Sequence, residues 1–69
     1  MTLYNIINAS EMQQTITVAD YITHEILIDC ETVHNILGSR RFIQELQNLN
    51  VYKLEIGKEY GDLIVHVCE

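Results

Sequence analysis

The chain has 69 residues, four Lys/Arg against ten Asp/Glu, a net charge of −6 and 48% hydrophobic residues. That length allows one domain, residues 1–69, and an apolar content higher than one small core hides, which points to a homo-oligomer. The charge repels phosphate backbones at long range and argues against duplex DNA or RNA as a partner, while suiting a basic protein partner.

Leu3 to Asn8 is a short apolar stretch and reads as a strand running into a polar loop at Asn8-Ala9-Ser10. Thr17 is placed to cap a brief helix through Val18, Ala19, Asp20, Tyr21 and Ile22. Glu25 to Cys30 is aliphatic and reads as a strand, and Val33 to Leu37 as a second strand joined to it by Cys30-Glu31-Thr32 in a hairpin. A continuous helix over 25–37 is the rival reading, because glutamate and leucine tolerate helices well.

Ser39 is placed to cap the chain's principal helix, in which Phe42, Ile43, Leu46 and Leu49 recur at helical spacing and Asn50 is the stop. Val51 to Ile56 alternates with period two, and Leu63 to Cys68 follows after a Gly- and charge-rich link, predicting a terminal hairpin. The predicted fold class is α+β: a small mixed β-sheet of about five strands packed on one amphipathic helix plus a short helix.

Half the positive charge sits at Arg40-Arg41, just after Gly38-Ser39 at the predicted helix start. Free N–H groups and the helix dipole favour an anion there, so these residues form a candidate anion site set against the ordinary alternative of solvated basic side chains. Cys30, His34, His66 and Cys68 have the chemistry of a zinc site, but no Cys-x-x-Cys knuckle supports one, and no metal or other cofactor is expected. The two cysteines are expected to be reduced, small apolar side chains. His34, four residues before Gly38, is a candidate catalytic group or a solvent-facing side chain. The tyrosines Tyr4, Tyr21, Tyr52 and Tyr60 read as amphipathic core or edge residues, and Glu55, Glu59 and Asp62 as solvated charges.

There is no Gly-rich phosphate loop, nucleophile elbow or metalloprotease helix, so no catalytic set is complete. No apolar run approaches the ~20 residues that span a bilayer, and the N-terminal residues lack a signal-peptide pattern, so a cytoplasmic location is expected.

Asn8-Ala9-Ser10, Ile36-Leu37-Gly38-Ser39 and Gly61-Asp62-Leu63-Ile64-Val65 together resemble the motifs of the small viral ring nucleases, the type III anti-CRISPR proteins. The resemblance runs through nearly the whole chain in order, on short motifs. It implies a homodimer that binds a cyclic oligoadenylate messenger across the dimer interface and suppresses a host immune response. By position, Asn8, Ala9, Ser10, Gly38, Ser39, Arg40 and Arg41 would face that ligand. Ser39 stands where the family has its motif histidine, and a hydroxyl does not donate protons near neutral pH as imidazole does. The resemblance therefore implies sequestration of the messenger in the host cytoplasm ahead of its metal-independent cleavage. The alternative from composition alone is a small acidic protein of phage type that inhibits a basic host protein by direct binding, without a nucleotide.

Overall fold

In the computed structural model, which describes residues 1–58 and 61–69, the chain folds as a small α+β domain. The order is α1 (Leu3–Ala9), β1 (Thr15–Asp20), β2 (Ile26–Thr32), α2 (Val33–Leu37), a π-helical turn (Phe42–Leu46), β3 (Asn50–Ile56) and β4 (Leu63–Cys68). The described residues form one mixed sheet of four strands rather than about five, in the order β2-β1-β4-β3. β1 runs parallel to β4, and each is flanked by an antiparallel edge strand. The segment from β2 through α2 and the π-turn carries the chain from one sheet edge to the other.

Pairing of Val18 with Val65 and of Thr17 with Ile64 divides the central strands between two faces. On one face Ile16, Val18, Val65 and Val67 join Leu3 and Ile7 of α1, Val33 and Ile36 of α2, and Phe42 and Leu46 of the π-turn in a single core. The opposite face, with Thr17, Ile64, Ala19 and His66, is covered by no helix among the described residues.

Three predicted elements differ in type. Leu3–Ala9 is a helix, not a strand, because Leu3 and Ile7 lie four apart and are both fully buried. Its start is held by a reciprocal cap, in which the Thr2 hydroxyl accepts the Asn5 N–H and the Asn5 side-chain oxygen accepts the Thr2 N–H. Thr15–Asp20 is a strand, not a Thr17-capped helix: Thr15 to Val18 are all β-branched, and Ile16 and Val18, two apart, point into the core from between two neighbouring strands. Val33–Leu37 is a helix, so no hairpin joins it to β2. Thr32 Oγ1 accepts the Asn35 N–H as its N-cap, and Val33 and Ile36, three apart, are buried.

The principal helix is also shorter than its apolar stripe suggests. Ser39 Oγ accepts the Phe42 N–H at 3.4 Å, as expected of a cap, but the helix then widens, with Gln47 N–H donating to Phe42 O at 2.9 Å. Phe42 and Leu46, four apart, face the core together, while Ile43 swings out and is 51% exposed. Asn50 opens β3 instead of ending the helix. The turn out of the helix is stitched to the N-terminus, with Leu3 N–H donating to Leu49 O and Val51 N–H to Met1 O. The β3–β4 hairpin forms as the alternation predicts. No helix among the described residues is long and apolar enough to cross a membrane.

Candidate functional site

A groove of about 400 Å³ lies between β2 and the helical layer. Its floor is apolar, from Leu27, Ile28, Ile36 and Leu46, and its polar lining is Asp29, Glu31, Asn35, Ser39 and Arg41. β2 brings Asp29 and Glu31 to this place because it is an edge strand whose outer side faces the helices' flank. Asn35 Nδ2 donates to Glu31 Oε2 at 3.2 Å, which orients that carboxylate from α2.

Arg41 is already engaged. Its Nη1 donates to Leu27 O on the edge of β2 at 3.1 Å, and its Nε lies 3.8 Å from Glu45 Oε2. The ion pair is exposed and contributes little. The main-chain bond matters more, because it occupies an acceptor on an otherwise open strand edge. The groove therefore holds two carboxylates against one guanidinium that is tied down locally.

The seven residues expected at a ligand site do not converge within one chain. Ser39 and Arg41 line the groove, Arg40 is exposed beside it, and Gly38 closes α2 outside it. Asn8 and Ala9 lie in the last turn of α1, and Ser10 caps it, its hydroxyl donating to Ile6 O at 2.7 Å. Ala9 and Ser10 line a different hollow, with Glu11, Gln14, Ile56, Gly61 and Leu63. The helix that Ser39 opens is itself only a turn or two long, and one of its free N–H groups, that of Phe42, is taken by the Ser39 hydroxyl.

Among the described residues, no three His, Cys, Asp or Glu side chains are placed to hold a metal ion. His34 is on α2 and exposed, not on a strand aimed at the next helix. Cys30 is a free thiol and exposed, at a point of positive φ (49°) where β2 shifts register against β1. Asp62 is not a solvated charge: it is 8% exposed and accepts a 3.0 Å hydrogen bond from Thr17 Oγ1. Glu59 and Tyr60 lie outside the described residues.

A second constellation occupies the helix-free face. His66 Nε2 lies 2.6 Å from Glu55 Oε1, and that contact, reinforced by Lys53, holds the Glu55 carboxyl below its ordinary range. Tyr21 stacks on Tyr52 with ring centroids 4.0 Å apart and meets His66 edge-on at 6.1 Å. The Tyr21 phenol raises the pKa of Tyr52. Sequence reading missed this cluster, although Tyr52 to Glu55 and His66 lie on strands it located; the stacking depends on a bulge between Val51 and Lys53. It missed the groove carboxylates too, for which the only signal was Asp29 and Glu31 two apart on a predicted strand or its exit.

Comparison of the chain with protein-family models, curated proteins and solved structures finds no match.

Proposed function

We propose that this chain is a non-catalytic binding protein whose groove between β2 and α2 takes a basic, partly apolar segment of a partner protein. The observation that carries the reading is the pairing of an apolar floor with the carboxylates of Asp29 and Glu31, while Arg41 is held by Leu27 O and Glu45. Aliphatic parts of a lysine or arginine side chain suit such a floor, and its charged end suits the rim. The net charge of −6 steers a cationic partner toward the site. Covering a partner's basic surface in this way would inhibit it without chemistry.

The test is calorimetric titration with two synthetic peptides of equal length, one of leucine and lysine, the other of leucine and glutamate. The basic peptide is expected to bind, and a D29N/E31Q variant with unchanged thermal stability to lose about tenfold or more in affinity. Equal binding of the basic peptide by the variant would show that diffuse charge, not the groove, attracts it, and would end this proposal.

A second reading keeps the messenger. Ser39 and Arg41 do line the groove, and Arg40 stands beside it. A cyclic oligoadenylate held there would use those residues from each of two chains. Titration with cyclic oligoadenylates of several ring sizes, followed by product analysis, tests it. Binding that disappears in R40A/R41A supports this reading, and no binding of any ring eliminates it.

A further inference from the structure

We propose that the outer edge of β3 pairs with the same strand of a second copy of this chain, antiparallel and centred on Leu54, giving a continuous eight-stranded sheet. The inference does not rest on the groove, which lies at the opposite edge of the sheet; it sets the two grooves at the far ends of the joined sheet, where each can take its own basic segment but both cannot hold one messenger.

An unpaired sheet edge is a template for another strand, and proteins that remain monomers cover or distort it. β2 is managed in both ways. Arg41 donates to Leu27 O on its edge, and the strand shifts register around Cys30. Among the described residues, β3 is protected only at its start, where Thr2 bridges Asn50 and Met1 O accepts the Val51 N–H. From Tyr52 to Ile56, no other main-chain group among the described residues is bonded to the outer edge. The same stretch exposes Tyr52 (61%), Leu54 (46%) and Ile56 (70%), which is apolar surface of a kind that solvent-facing edges avoid.

The occupant follows from a parity and charge argument. A two-fold axis perpendicular to the sheet sets β3 antiparallel to its copy and keeps each face continuous across the junction. Directly opposed residues must then share a face, so only registers shifted by two residues compete. Centring on Lys53 opposes two lysines, and centring on Glu55 opposes two glutamates. Centring on Leu54 sets each Lys53 against Glu55 of the other copy, twice, and Leu54 against Leu54. Lys53 and Glu55 already lie on one face, 3.6 Å apart within the chain. The strand is thus complementary to itself in charge and in apolar contact at one register, as an isologous interface requires.

Light scattering and sedimentation equilibrium over micromolar to millimolar concentrations test this, with circular dichroism and thermal melts as the check on folding. The wild type is expected to dimerise. K53E and E55K each place like charges opposite one another at both pairs and should weaken the dimer about tenfold or more. The double exchange K53E/E55K restores opposite charges and should recover it. An equimolar mixture of K53E with E55K should form a mixed dimer that neither forms alone, a result that depends on both singles being folded. A monomeric wild type, a dimer indifferent to K53E, or a double exchange as weak as the singles overturns the proposal.

Discussion

Replacing Thr17 with valine would remove one hydroxyl and leave the shape of the side chain almost unchanged. That hydroxyl is a junction: it donates to Asp62 Oδ2 at 3.0 Å and accepts the Cys30 N–H at 3.1 Å. It links three segments, namely the centre of β1, the register shift in β2, and the turn leading into β4. Asp62 is almost fully buried, so water reaches its carboxylate poorly once the donor is gone, and loss of a bond to a charged group costs about 1.5–3 kcal/mol. Cys30 is exposed, and water replaces the acceptor of its N–H, which adds only about 0.5 kcal/mol. T17V should therefore destabilise the protein by about 2–3 kcal/mol, which for a domain of this size lowers Tm by about 10–20 °C. Urea unfolding followed by circular dichroism measures it, with T17S as the control that keeps the hydroxyl and stays within about 1 kcal/mol of wild type. If T17V and T17S lose the same stability, packing of the methyl group and not the hydrogen-bonded junction is what Thr17 supplies, and the reasoning fails.

The neighbouring glycine gives a steric counterpart. A Cβ at Gly57 would come within 2.1 Å of Asp62 Oδ1, and Thr17 holds that carboxylate in place; G57A should cost about 2 kcal/mol in the same urea assay, and a neutral result would mean the turn relaxes freely. Acid should act through Asp20 and Glu55. The Thr23 and Ile22 N–H groups lower the pKa of Asp20, and His66 and Lys53 lower that of Glu55. Their folded pKa values lie below the unfolded ones, so their contribution is complete above about pH 4 to 5 and disappears as pH falls through the folded values. Tm measured against pH should drop in that acid window, and D20N and E55Q should each flatten the drop; curves parallel to wild type would show that these contacts are not formed in solution.

Local patterning was legible in those parts of the protein where periodicity and tertiary demand agree. Val51 to Ile56 and Leu63 to Cys68 alternate and form the β3–β4 hairpin, Glu25 to Cys30 largely coincides with β2, and Ser39 caps the segment leading to Phe42 and Leu46. Short apolar runs were a different matter. Leu3 to Ala9 and Thr15 to Asp20 carry similar aliphatic content in six or seven residues, and at that length strand and helix patterns overlap. What separated them was context: the space between β2 and β4 takes an extended β1, while the layer above the sheet needs a helix that turns Leu3 and Ile7 inward together. For the site, the sequence located Ser39 and Arg41 but not what surrounds them. Only the folded chain brings the edge of β2 against Arg41, so that Leu27 O and Glu45 engage the guanidinium and Asp29 and Glu31 set the sign of the groove. Charge in a sequence is a count, whereas the field at a site depends on which groups the fold places within a Debye length and which it has already paired.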